Sequence, residues 1–155
     1  MSQLQLKEEI QFHHYQETDL EGAAKAFQKA FSAAPWSEEW PDLKYVERYL
    51  HQYVEEPRFL GYIGIYKGQV ICGCFATIHL WPTGDECIIQ ELFVDPSFHS
   101  QGFGSKFITY IKEEVKKTGI NCINLLTKRG FPAEFFYQKN GFSDFDPWIY
   151  VRSEF

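Results

Sequence analysis

The sequence predicts an α/β (α+β) fold, a mixed and mostly antiparallel sheet flanked by helices, in the order β-α-α-β-β-β-α-β-α-β. Three observations carry that expectation. Strand-forming runs fill residues 59–94 and are broken only by short turn signals. A strongly amphipathic helical pattern follows them, and shorter helical and strand patterns lie on either side. The chain has 155 residues, the usual size of one domain, so residues 1–155 are expected to form a single unit.

Each element has its own local reason. Ile10 to Tyr15 reads as a first strand, and Thr18 with Glu21 has capping-box spacing for a helix reaching about Phe31. Leu43, Val46, Leu50, Tyr53 and Val54 recur at helical intervals after Asp42, and Pro57 closes that helix. FLGYIGIY and QVICGCFATIHLW are β-rich and split by Lys67-Gly68, a tight hairpin signal. Pro82 to Asp85 is a further turn, leading into ECIIQELFV, so three consecutive antiparallel strands are expected. Phe103, Phe107, Ile108, Ile111 and Val115 then share one helical face ending at Gly119. Ile120 to Leu126 reads as a buried strand, Pro132 to Gly141 as a short helix, and WIYVRS, 148–153, as a last strand. Strand pairing is not settled by sequence order.

Composition excludes several classes of function. The net charge of -6 opposes a surface that tracks nucleic-acid phosphates, which needs clustered Lys and Arg. The first residues carry no basic head followed by an apolar run, and no stretch is apolar for long enough to span a membrane, so a cytoplasmic protein is expected. Cys72, Cys74, Cys87 and Cys122 show no zinc-type spacing. They are expected to be reduced thiols in or near strands, and no metal site is expected. The aromatic share of 18% is high enough to furnish both a core and a pocket.

The segment with the most chemical content is the passage from ELFVDP through SFHSQGFGS into the strong helix. Gly102 and Gly104 remove side chains where the chain turns into the helix, so that backbone N–H groups can converge on an anion at the positive end of the helix dipole. The natural guest is a phosphate; the plainer alternative is a glycine turn that only joins strand to helix. A P-loop is excluded because no G-x-x-x-x-G-K-[ST] occurs, and a dinucleotide fingerprint because its third glycine would fall on Phe107.

At VDPSFHSQGFG, Val94 to Gly104, the chain resembles the GNAT superfamily of acetyl-CoA-dependent N-acetyltransferases, whose central motif is V-x-P-x-x-[RQ]-G-x-G-x-[GA]. A second signature of that superfamily, A-x-x-[FL]-Y-x-K-x-G-F, is matched by AEFFYQKNGF, Ala133 to Phe142. The resemblance runs through residues 59–152, with the N-terminal third similar in layout only. His99 and Ser100 depart from it, standing where the superfamily has Arg or Gln and then Gly.

The resemblance implies an N-acetyltransferase domain with acetyl-CoA as cosubstrate and a small amine-bearing acceptor. It implies a pyrophosphate held by the amides of His99, Ser100, Gln101, Gly102, Phe103, Gly104 and Ser105. The pantetheine would then lie along Glu91 to Val94 like an added strand. Tyr137 is the residue matching the tyrosine that protonates the departing thiolate. A backbone N–H at Phe93 or Val94 would meet the oxyanion. The base is expected on the strand beside the thioester at Glu91, although strand alternation leaves Gln90 as the other residue that could face the pocket. Trp36, Glu38 and Glu39, in the loop between the first two helices, combine aromatic faces with negative charge suited to a cationic amine. His79, Trp81, Asp85, Glu86 and Trp148 are further rim residues. Exposed aromatics fit a homodimer. A noncatalytic acyl-CoA sensor, or a protein-interaction module of the same fold, is the alternative reading.

Overall fold

The computed structural model describes residues 9–155. Residues 1–8, read above only for the absence of a leader pattern, lie outside the described part. The elements in order are β1 (Gln11–His14), α1 (Leu20–Ser32), α2 (Leu43–Val54), β2 (Phe59–Tyr66), β3 (Gln69–His79), β4 (Glu86–Val94), α3 (Phe103–Lys117), β5 (Ile123–Leu125) and α4 (Pro132–Lys139). The strands form one sheet in the order β1-β2-β3-β4-β5. All neighbours are antiparallel except β4 and β5, which run parallel because α3 carries the chain back across the sheet between them. Among the described residues no helix is long and apolar enough to cross a membrane.

Helices cover both faces. On one, α3 lays Phe107, Ile108, Ile111 and Val115 against Tyr62, Ile71 and Cys74 of the sheet. On the other, α1 and α2 bring Ala23, Phe27, Val46 and Leu50 against Ile63, Phe75 and Phe93. Each fully buried side chain of this size contributes about 1.5–3 kcal/mol of hydrophobic stabilisation. Cys72, Cys74 and Cys87 belong to the α3 side and are free, and burial pushes the Cys72 and Cys87 thiols up to about 12. They are protonated parts of the core. A Cβ at Gly73 would sit 2.3 Å from Phe93 Cζ, so glycine is what allows the Phe93 ring to lie across β3.

The structure departs from the sequence reading in three places. The capping interaction ahead of α1 uses Asp19, whose carboxylate accepts from Gln16 N–H at 2.8 Å and pairs with His13 Nε2 at 3.0 Å. Thr18 and Glu21 do not form it, because a single 3-10 turn at Glu17–Asp19 shifts the start of the helix to Leu20. β5 is three residues long rather than seven, since only Ile123–Leu125 reach β4. The expected last strand is not formed: 148–153 has no regular structure and is exposed. High strand propensity at Ile149, Tyr150 and Val151 makes no ladder without a partner edge.

Candidate active site

β4 and β5 stay paired only through Cys87↔Ile123, Ile88↔Asn124 and Ile89↔Leu125. Beyond Ile89 the two strands separate, leaving β4 from Gln90 to Val94 with an edge that no strand covers. At the same place β4 bulges, because Ala76 of β3 pairs with Ile89 and Phe75 with Glu91, so Gln90 has no partner. The extra residue reverses the facing of the strand. Before it, Cys87 and Ile89 face α3; after it, Phe93 faces α1 and α2. Glu91, two residues before Phe93, falls on the same α1/α2 face, while Gln90 is exposed. The bulge thus decides between the alternatives that alternation left open, and it brings Glu91 to the gap.

Backbone direction along this edge follows from Asp95 N–H, which donates to Ile71 O at 2.7 Å and so points toward β3. Alternation turns Phe93 N–H the same way and those of Leu92 and Val94 toward the open edge. Phe93 is therefore corrected as a backbone donor: its N–H faces β3 and its ring is buried among Phe27, Phe31 and Phe75. Val94 points its N–H to the open edge. Its carbonyl on the same edge accepts from His99 Nε2 at 3.0 Å.

The turn into α3 is shaped as a donor cradle. Ser100 and Gly102 both have left-handed backbone, at φ 66 and 77, and successive turns of this kind bring neighbouring N–H groups to one side. Among the described residues, no protein acceptor is met by the amides of Ser100, Gln101, Gly102, Phe103, Gly104 or Ser105. Lys106 N–H is the first to close onto the helix, at 3.1 Å from Gly102 O. His99 N–H, by contrast, is spent on Pro96 O at 3.2 Å, so His99 enters this region through its ring. The Phe103 side chain is buried against Tyr66, leaving only its amide for a ligand. Gly104 is required for a different reason from Gly102: a Cβ there would stand 3.0 Å from Phe136 Cε2, so it lets α4 pack against the first turn of α3.

Two groups able to carry protons flank the gap from opposite faces of the sheet. Burial pushes the Glu91 carboxyl up to about 7, the Tyr49 hydroxyl it accepts from pulls it down, and the charge of Glu38 pushes it up. Tyr49 is held in turn by Tyr53, whose hydroxyl donates to Tyr49 Oη at 3.0 Å, and by the Trp40 ring at 4.8 Å. Tyr137, on α4, packs into the α3-side core beside Phe136 and Phe142. Burial raises its hydroxyl well above the usual tyrosine range, and the charge of Glu91 adds to the effect. A tyrosine so placed keeps its proton until a stronger base appears beside it.

Other expected residues divide. Trp36 stacks edge-on between Phe31 at 5.4 Å and Phe131 at 4.9 Å, so it links the α1–α2 loop to the start of α4 across the gap. Glu38 accepts from Trp40 Nε1 at 3.0 Å and stays close enough to act on Glu91. Glu39 is exposed and makes no such contact. His79 and Trp81 pack against each other with tilted rings at 5.4 Å, Glu86 accepts from Asn124 Nδ2 at 2.7 Å, and Trp148 lies in the exposed segment. None of these is gathered with Glu91. Sequence reading missed Tyr49 and Phe131. Tyr49 lies one turn before Tyr53 on α2, but nothing local couples it to a carboxylate 42 positions away.

The sheet thus parts beside a bulged strand, and an unpartnered amide cradle stands at the head of the following helix. The sequence profile of the acetyltransferase (GNAT) family matches residues 21–142, and the chain belongs to that family. Solved structures agree on the fold. A possible acetyltransferase from Clostridium difficile 630 superposes with a TM-score of 0.77 at 18% identity, over 94% of this chain and 98% of that one. Aminoglycoside N-acetyltransferase AAC(6')-Iy in complex with CoA gives 0.73 at 16%, over 94% and 95%. A predicted acetyltransferase with acetyl-CoA from Clostridium acetobutylicum gives 0.67 at 18%, over 93% and 96%. No curated protein matches the chain at a significant level.

Proposed function

We propose that the chain moves the acetyl group of acetyl-CoA directly to a small amine. The observation that carries this reading is the continuity of donors: the free amides from Ser100 to Ser105 adjoin the uncovered edge of β4, which ends beside Glu91. One extended ligand with a diphosphate at one end and amide groups along its arm fits that track. The CoA and acetyl-CoA bound by the similar structures have that form.

The residues then have distinct tasks. The amide cradle holds the diphosphate, and Val94 on the open edge pairs with the pantetheine arm. An acceptor entering from the α1/α2 face arrives as an ammonium, whose pKa of about 10.4 leaves it non-nucleophilic at neutral pH. The Glu91 carboxylate takes a proton from it, and the freed nitrogen lone pair attacks the thioester carbon. Leu92 N–H, the open-edge donor next to Glu91, receives the developing oxyanion. As the tetrahedral adduct collapses, the C–S bond breaks, and the sulfur takes the Tyr137 proton to leave as free thiol. The tyrosinate takes a proton from solvent, the amide nitrogen releases its second proton to solvent, and the Glu91 carboxyl releases the first, which resets the site.

Glu38 and Glu91 give the acceptor side negative charge, with Trp36 and Trp40 as its walls. Such a lining favours cationic amines, and aminoglycosides belong in the acceptor panel because several similar structures are aminoglycoside acetyltransferases. The test is acetyl-CoA-dependent thiol release across primary amines, polyamines and aminoglycosides. Turnover with at least one class is expected. Tight acetyl-CoA binding with no turnover would replace the enzyme by an acyl-CoA sensor, and no binding at all would remove the family's ligand.

A further inference from the structure

Lys128, in the loop between β5 and α4, holds its ammonium 5.5 Å from the centre of the Trp36 ring and 5.4 Å from that of Phe131. The two rings meet at 73°, so they form two walls of a corner with a cation in its mouth. A cation at this distance is attracted by the negative face of each ring.

Both walls are fixed by the backbone. Ser37 N–H donates to Ala33 O at 3.0 Å and Glu38 N–H to Phe31 O at 2.8 Å, which pins Trp36 at the end of α1. Phe131 N–H donates to Lys128 O at 3.3 Å, and Gly130 N–H to Glu134 Oε1 at 3.1 Å, so the turn that carries Lys128 also sets the second wall.

The occupant is held less firmly than the walls. Lys128 is exposed and, among the described residues, pairs with no carboxylate, whereas Arg129 beside it reaches both Glu134 and Asp144. An exposed cation–π contact competes with the rotamer freedom of a lysine side chain, which is of similar size. A cation already tethered to a bound molecule loses less freedom on entering the corner, and displaces the lysine.

The corner also adjoins the gap. The Phe31 ring lies 5.4 Å from Trp36 and 6.5 Å from Phe93, which is two residues from Glu91. Two places that attract cations, the Glu91 and Glu38 carboxylates and the Trp36–Phe131 corner, are thus joined by apolar rings. A ligand matching that order has a cation at each end and an apolar chain between them.

We propose that the Trp36–Phe131 corner is a second cation subsite, that Lys128 fills it while the acceptor site is empty, and that the acceptor is a dication whose non-reacting ammonium takes the place of Lys128. This rests on the reading of the gap as an acceptor site. Monoamines reach Glu91 but gain nothing at the corner, so Lys128 acts as a built-in competitor that only a dication displaces.

The test needs no turnover. α,ω-Diaminoalkanes of increasing length, and monoamines of matching length, are titrated into the full chain with the indole N–H resonance of Trp36 as readout. At least one diamine should shift that resonance saturably, and its matching monoamine should leave it in place. Lys128→Met should tighten diamine binding by about two- to fivefold, the size of one exposed cation–π contact, and Lys128→Arg should not. Both variants alter an exposed side chain, which keeps the test independent of folding. Phe131→Leu, which keeps an apolar side chain but removes one wall, should weaken the diamine and erase the gain from Lys128→Met. The same gain in the Phe131→Leu background would assign the effect to net charge and overturn the subsite. So would a Trp36 resonance that no diamine moves, even in a chain that acetylates amines. Diamine binding as expected without thiol release from acetyl-CoA would leave the subsite standing and remove the acetyl-transfer reading instead.

Discussion

The Tyr49 hydroxyl donates to Glu91 Oε1 from helix α2 across to strand β4, and the Tyr53 hydroxyl stands 3.0 Å behind it. One carboxylate oxygen is thereby occupied, and in the proposed reaction the other takes the ammonium proton. The bond also favours the ionised carboxylate against the burial that raises it to about 7. In acetyl transfer with a saturating acceptor, the rate should fall on the acid side with a midpoint near pH 7. Tyr49→Phe should move that midpoint upward by about one to two units, the equivalent of a hydrogen bond to a charged group. An unmoved acid limb in Tyr49→Phe, with the limb abolished in Glu91→Gln, would remove the tuning role while keeping the base.

Stability carries the same signature by a route that needs no substrate. Below pH 4.5 the Glu91 carboxyl is protonated in folded and unfolded chains alike, and no cost arises. Between 4.5 and about 7 the folded chain binds the extra proton, so stability falls as the pH rises through that window. Above it the full cost of burying the charge is present, at most ~3 kcal/mol for a shift of this size. Glu91→Gln should therefore raise the melting temperature at pH 8 and leave it nearly unchanged at pH 4. Equal effects at both pH values would show that the carboxylate is not desolvated in solution.

Tyr137→Phe removes a proton donor and leaves the ring packed against Phe136 and Phe142. We expect kcat to drop about 10²-fold, within the usual range for a lost general acid, with acetyl-CoA affinity retained. Calorimetry beside steady-state kinetics checks this. A drop in affinity equal to the drop in kcat would assign the residue to packing.

Gly102 has φ 77 with nothing near the missing Cβ, so Gly102→Ala introduces backbone strain and no clash. About 1 kcal/mol of stability should be lost. If the amides from Ser100 to Ser105 turn away from one another, CoA binding should weaken more than stability alone explains. Gly104→Ala should act differently, because its Cβ meets the Phe136 ring and shifts α4 rather than the cradle.

His99 Nε2 occupies the Val94 carbonyl at 3.0 Å, an acceptor that an added strand would need. His99→Ala frees that carbonyl. Acetyl-CoA should bind up to about tenfold more tightly, matching the ~0.5–1.5 kcal/mol net value of one hydrogen bond. Unchanged or weaker binding would place the imidazole among the ligand's contacts instead of among its competitors.

Local spacing was enough to read the helices, the hairpin, the strand-to-helix turn and the two motifs of the family, because periodicity, turn chemistry and glycine placement act over a few residues. It also placed Tyr137 on α4 and the donor amides at the head of α3. Tertiary structure alone decided which of Gln90 and Glu91 faces the gap, since the bulge exists only against β3 and one inserted residue reverses every side chain that follows. It alone brought Tyr49 to Glu91, turned Phe93 N–H toward β3, and left Trp148–Ser153 without an edge to join. Propensity says what a segment can become, but the hydrogen bonds and burial that make a strand, or shift a carboxyl, come from whichever neighbours the fold supplies.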